Sequence, residues 1–396
     1  MKAIDLSAMK KALELVRAGR LQEATSCIQE TLADGRSDPY AGHVDRKATV
    51  QDDGPLLREA TASALTRNAE DLEFKPMSSN VSRAASTDLP DPPESSESSE
   101  SSEVNSPSAY SSPMNEPSRV IESEWLTKMG PLAYRLFIPE RNANVGLAPL
   151  VVMLHGCQQN ARDFSAGTQM DNVAGKEGCF VVYPQQSNRA NPAACWNWFK
   201  HNHQVRDKGE PQAIVDLVSH LVATYAIDAS RIFIAGLSAG AAMAAILGEQ
   251  YPEVFAAVGV HSGLPSGMAS NLPDALQAMQ GRGRPALKKN LSLPTIIFHG
   301  DKDATVAPVN GVHFAEALEH DADQPVLKLD GIMGRPFTRK IYRSSEGLVT
   351  GEYWVIQGAS HAWSGGNTSG SYTDPLGPNA SLEMIRFFLE STDSRG

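Results

Sequence analysis

Cysteine and positive charge are both scarce in this chain. Four cysteines in 396 residues do not make a disulfide framework, and Cys27 lies far from every motif described below, so the redox compartment stays open. The 35 Lys+Arg are outnumbered by 46 Asp+Glu, for a net charge of −11. That balance argues against nucleic acid as a partner. No stretch approaches the ~18–20 consecutive apolar residues that span a bilayer, so no transmembrane segment is expected. The N-terminus has no unbroken apolar core either, because Lys10, Lys11, Glu14 and Arg17 interrupt it. No Sec signal is visible, and the sequence taken alone reads as cytoplasmic. A metal is not called for: His201 and His203 stand at i and i+2 without a Cys, Asp or Glu cluster to complete a ligand set, and are expected to be solvated loop residues. Cys179, within an apolar run, is expected to be a buried thiol.

What the chain does contain falls into three parts. Over residues 1–35, Leu6, Met9, Leu13 and Val16 recur at helical spacing, Gly19-Arg20 interrupts, and Leu21, Ala24, Ile28 and Leu32 resume before Gly35. This predicts an amphipathic helical hairpin. So small a unit must pack on something or self-associate, which makes it a candidate docking or oligomerisation element, with a half-ordered leader as the alternative. Over residues 36–120, Ser, Pro, Asp and Glu take over, with a Ser-Ser-Glu repeat through residues 95–103. A segment with so little to bury is expected to be a disordered linker. Residues 121–396 alternate strand and helix signals: strands at 134–138, 150–154, 179–183, 231–235, 256–260, 295–298 and 351–356, and helices at 212–225, 239–250, 311–319 and 380–390. Continuous apolar strands separated by helices predict an α/β fold with a mostly parallel sheet covered on both faces. Ligand sites in such sheets lie beyond the carboxyl ends of the strands.

Four motifs fall at those ends. Gly236-Leu237-Ser238-Ala239-Gly240 joins an apolar strand to a helix, with small residues relieving the crowding of a sharp turn that exposes the serine hydroxyl. Such a nucleophile needs a base, an acid to hold the base, and two donors for the oxyanion. The strand at 295–298 runs into His299-Gly300-Asp301-Lys302-Asp303. Asp303 is taken as the acid, and Asp301, inside the turn, is expected to hydrogen-bond backbone. The last predicted strand leads to Gly358-Ala359-Ser360-His361; His361 follows both Ser238 and Asp303 in the chain, the Ser…Asp…His order of α/β-hydrolases. The strand at 150–154 leads to His155-Gly156-Cys157-Gln158-Gln159. The backbone N–H groups of Cys157 and Ala239 are the expected oxyanion donors, and His155 is expected to brace that loop.

Over residues 125–390 the chain resembles the polyhydroxybutyrate depolymerase family of esterases, which includes related feruloyl and acetylxylan esterases. The likeness rests on these motifs together with Cys195-Trp196-Asn197-Trp198-Phe199, Gly209-Glu210-Pro211 and Gly358 through Gly366. The resemblance implies an α/β-hydrolase fold, a Ser238–Asp303–His361 triad, a Cys157–Cys195 disulfide, no cofactor, and an ester substrate: a hydroxyalkanoate polymer or oligomer, or a small acyl ester. Trp196, Trp198 and Trp363 are three of only five tryptophans, and as flat apolar rings flanking the site they are expected to bind substrate, with at least one in the core. The chain departs from polymer-degrading members in showing neither a polymer-adsorbing module after the last helix nor the secretion signal common among them. Soluble oligomers or small esters are therefore the easier expected targets. Two rivals stand beside this reading: a feruloyl or acetylxylan esterase, and a catalytically silent scaffold.

Overall fold

A computed structural model describes residues 117–141, 146–282, 291–318, 326–329 and 334–393. The expected hairpin over 1–35 and nearly all of the expected linker over 36–120 lie outside the described residues. The first strand, β1 (Arg119–Thr127), starts two residues before the expected domain boundary at 121. It is followed by β2 (Gly130–Ile138), β3 (Ala148–Leu154), β4 (Phe180–Pro184), β5 (Ile227–Leu237), β6 (Ala257–His261), β7 (Thr295–Gly300), β8 (Val326–Leu329), β9 (Phe337–Arg343) and β10 (Val349–Ile356).

These strands form one sheet in the order β1-β2-β4-β3-β5-β6-β7-β10-β9-β8. The central pairings from β4 through β10 are parallel, and antiparallel pairs flank them on both sides. The sheet is thus of the mostly parallel α/β type. The central stretches of its parallel strands are largely apolar and buried because both faces are covered there. In β3, Leu150, Val152 and Leu154 point into one core, and Val151 and Met153 into the other. The two-residue period of the strand sorts them.

Helices α1 (Ala161–Thr168), α2 (Met170–Lys176) and α7 (Ala380–Asp393) contribute Phe164, Met170 and Phe388 to the second core. Helices α3 (Gly209–Thr224) and α4 (Ala239–Gln250) contribute Ile214, Leu217, Met243 and Leu247 to the first. Two further helices lie among the described residues, α5 (Leu272–Met279) and α6 (Val309–Ala317). Every residue of α4 from Ala239 to Gly248 is buried, which explains why its sequence is apolar all round instead of amphipathic. Its small residues let it lie tight on the sheet: a Cβ on Gly248 would stand 2.5 Å from Val258 Cγ2.

Candidate active site

Ser238 sits between β5 and α4 with φ 57° and ψ −118°, a backbone state that costs a non-glycine residue about 1–3 kcal/mol. Two glycines make the turn possible. A Cβ on Gly240 would fall 2.0 Å from Leu154 O, and one on Gly236 would fall 2.4 Å from the Gly240 carbonyl carbon. The strain is held by one tertiary bond, from the Ser238 N–H to the His261 carbonyl at 2.9 Å, and by the first helical bond, from Ala242 N–H to the Ser238 carbonyl at 3.0 Å.

Two strands along, Asp303 follows β7. Its Oδ1 accepts the N–H groups of Thr305 (2.9 Å) and Val306 (2.8 Å), and its Oδ2 accepts from His361 Nδ1 at 2.7 Å. That bond puts the His361 ring proton on Nδ1 and leaves the Nε2 lone pair free to take a proton. Burial pushes the Asp303 carboxyl up. The hydrogen bond and charge of His361, the charge of His299 and the Val306 N–H outweigh burial and leave the group below its usual value. Asp301 has the backbone role expected of it, although across the site: Oδ1 accepts the N–H of Gly358 at 2.6 Å, bracing the loop that carries His361. That loop lies directly on the end of β7, where a Cβ on Gly300 would be 2.3 Å from Ala359 O. The hydrogen bonds of the site tie His361 to Asp303 and leave the Ser238 hydroxyl outside that pair; the same three strand ends carry all three groups.

The loop after β3 approaches the serine from the other side. A Cβ on Gly156 would be 3.6 Å from Ser238 Cβ. His155 is fully buried, with Nδ1 donating to the Gly156 carbonyl (2.8 Å) and Nε2 accepting from Gln186 N–H (3.1 Å). Burial lowers its pKa to about 4, so it braces the loop as a neutral ring. The Gly156 N–H is occupied by Gln159 Oε1 at 2.9 Å. Gln159 Nε2 in turn donates to Asp163 (3.1 Å) and to the Ser371 carbonyl (3.0 Å). Cys157 is bonded to Cys195, with S–S 2.07 Å, and Gln158 N–H donates to Ala193 at 2.8 Å. Ala239 opens α4, where backbone N–H groups lack partners inside the helix.

A sequence profile of the esterase PHB depolymerase family matches residues 132–332, about half of the chain. The chain belongs to this esterase family. Among curated relatives it is 32% identical over 268 residues to poly(3-hydroxyalkanoate) depolymerase C of Paucimonas lemoignei, covering 61% of this chain and 63% of that one. It is 31% identical over 140 residues to probable acetylxylan esterase A of Aspergillus fumigatus, covering 35% and 36%. The chain therefore spans less than two thirds of the length of these relatives. The solved acetyl xylan esterase from Aspergillus awamori superposes with a TM-score of 0.53 at 17% identity, over 69% of this chain and 99% of that one, which supports the shared α/β-hydrolase fold.

At least one of the three tryptophans was expected in the core of this esterase-family chain. Trp196, Trp198 and Trp363 are 1%, 6% and 1% exposed, so all three are buried. Trp363 donates its indole N–H to Ser381 Oγ at 3.1 Å and takes the edge of Phe164 at 5.5 Å. Trp196 packs near His155 at 5.7 Å, and Trp198 meets Phe199 edge-on at 5.8 Å. Large apolar rings beside a disulfide-pinned loop gain more from burial than from exposure. His201 is exposed as expected. His203 is buried, its Nδ1 accepting the Glu210 N–H at 3.3 Å. Cys179 is a buried thiol, its pKa pushed up to about 12 by burial.

Sequence reasoning gave Glu210 no role beyond its place in a motif. Its carboxylate accepts Asn197 N–H (2.7 Å), Asn197 Nδ2 (2.5 Å) and Gln186 Nε2 (2.6 Å), clamping the segment that carries Cys195. Its signal was the Gly209-Glu210-Pro211 motif, which cannot reveal partners 13 and 24 residues away. Among the described residues no group of three or more His, Cys, Asp or Glu could hold a metal ion, and no helix is long and apolar enough to cross a membrane.

Proposed function

We propose that this chain is a serine carboxylic-ester hydrolase of the PHB depolymerase type, cleaving poly- or oligo(3-hydroxybutyrate)-like esters through an acyl-enzyme. The observation that carries the reading is the 2.7 Å His361–Asp303 pair on the loops after β7 and β10, together with a serine held at φ 57° between β5 and α4 of the same sheet. In the reaction His361 Nε2 takes the Ser238 proton, Ser238 Oγ attacks the ester carbonyl, and the Cys157 and Ala239 N–H groups receive the oxyanion. His361 then protonates the leaving alkoxide. Water, activated by the same imidazole, releases the acid from Ser238. Asp303 keeps the ring proton on Nδ1 and stabilises the imidazolium. Each oxyanion donor contributes on the order of 10²- to 10³-fold to turnover in sites of this kind.

Replacing Ser238 with Ala should bring p-nitrophenyl butyrate turnover and fluorophosphonate labelling to background. A variant that keeps the wild-type rate removes the assignment, and a wild-type chain that takes no label favours the silent scaffold. The second reading, an acetylxylan or feruloyl esterase, is supported by the acetylxylan and feruloyl esterase relatives. Rates on 3-hydroxybutyrate oligomers against acetylated xylan and methyl ferulate separate the two. Docking or self-association through residues 1–35 remains part of the proposal on the strength of their amphipathic pattern.

A further inference from the structure

One fully buried histidine has no part in the chemistry above, yet it touches both halves of the site. His261 ends β6, between β5 and β7, in register with Leu237 on one side and Phe298 on the other. Its carbonyl accepts the Ser238 N–H at 2.9 Å. Its ring Nε2 accepts the N–H of Ser364 at 3.0 Å, three residues beyond His361. With Nε2 an acceptor, the ring proton is on Nδ1, which faces Ser262 Oγ at 3.2 Å. The ring also stacks on Phe298 (centroids 5.7 Å, 10°) and on Trp363 (5.1 Å, 26°). The titratable groups that face it are His299, His361 and Asp303; burial first, then the two histidines, lower its pKa to about 3. The lone pair on Nε2 is thus available wherever the enzyme works.

We propose that His261 is a positioning residue: it holds the Ser238 turn by its carbonyl and the His361 loop by its ring, and so sets the separation of nucleophile and base. The proposal rests on the esterase reading above. The backbone bond to Ser238 survives any side-chain substitution, whereas the ring bond to Ser364 does not. His261→Phe keeps the aromatic stacking and removes the acceptor. His261→Gln loses the stacking and returns an oxygen near the position of Nε2. A merely structural ring should tolerate Phe better than Gln, and a positioning acceptor should rank them the other way.

The test measures kcat and KM for p-nitrophenyl butyrate, the acid limb of the kcat/KM pH profile, fluorophosphonate labelling rate and Tm for the full chain and both variants. His261→Phe is expected to lose about tenfold or more in kcat, with KM within about twofold and labelling slowed in parallel. Its acid limb should move from the wild-type position as His361 loses its fixed placement, and His261→Gln should recover most of the rate. If His261→Phe does not fold, His261→Met, which also lacks a strong acceptor, is compared with His261→Gln in its place. Retention of wild-type kcat by the Phe variant, or a rate order that follows Tm instead of the acceptor, overturns the proposal alone. A wild-type chain that neither hydrolyses ester nor takes the probe overturns the esterase reading and this proposal with it.

Discussion

Replacing Asp303 with Asn perturbs a carboxylate whose two oxygens are both committed. Oδ1 receives two backbone N–H groups, from Thr305 and Val306, and Oδ2 receives the Nδ1–H of His361. An amide has a single oxygen, and the two fixed backbone donors claim it. The Asn NH2 then faces His361 Nδ1, and two donors cannot meet. The ring must move its proton to Nε2, the nitrogen that has to accept from Ser238. Loss of the working tautomer in a triad lowers kcat on the order of 10⁴-fold, equivalent to about 5.5 kcal/mol of transition-state stabilisation. Asp301→Asn is the control: its Oδ1 accepts the Gly358 N–H, which an amide oxygen still accepts, so kcat should stay within about threefold. The assay is steady-state hydrolysis of p-nitrophenyl butyrate, with thermal melting to show that both variants are folded. The reasoning fails if folded Asp303→Asn keeps a tenth of the wild-type kcat, or if Asp301→Asn is equally damaging.

Two further outcomes follow from the same contacts. Reducing the Cys157–Cys195 bond, or replacing Cys195 with Ser, opens a link across a sequence separation of 38; chain-entropy reasoning puts the loss on the order of 4 kcal/mol. Kinetics should show a lower kcat because the Cys157 N–H loses its anchor, and urea melts that coincide with and without reductant would contradict this. Stability should also fall with acid sooner than carboxylates alone would dictate. His155 and His261 are buried with pKa values lowered to about 4 and about 3, so the unfolded chain, with ordinary values near ~6.5, binds protons first. Their contribution is complete above about pH 6.5 and is lost as pH falls toward the folded values, on the order of 3–5 kcal/mol each when taken through fully. The lowered Asp303 acts in the same direction once pH drops below its unfolded value near ~3.9. Urea midpoints that do not change between pH 7.5 and 4.5 would refute the assignment of neutral buried rings.

Much of the fold was legible because its signals are local. The parallel strands announce themselves as short apolar runs, and α4 occupies the expected 239–250 range. The edges were not legible. In β1, Glu122 and Glu124 interrupt the apolar positions, and most of the strand is exposed, so no continuous run marked it. Helices α1 and α5 are each 8 residues long; their asparagine caps, Asn160 and Asn271, could have flagged them.

The amino-acid order alone determined the strand-to-helix serine turn, the choice of Asp303 over Asp301 and the candidacy of His361, because glycine spacing, turn chemistry and strand ends are written within a few neighbouring residues. Only the tertiary structure decided that the three tryptophans are core, that Glu210 clamps the Cys195 segment, and that His261 joins the serine turn to the histidine loop. Burial and hydrogen-bond partnership are set by side chains that meet after tens or hundreds of intervening residues have folded. No window along the chain holds both partners.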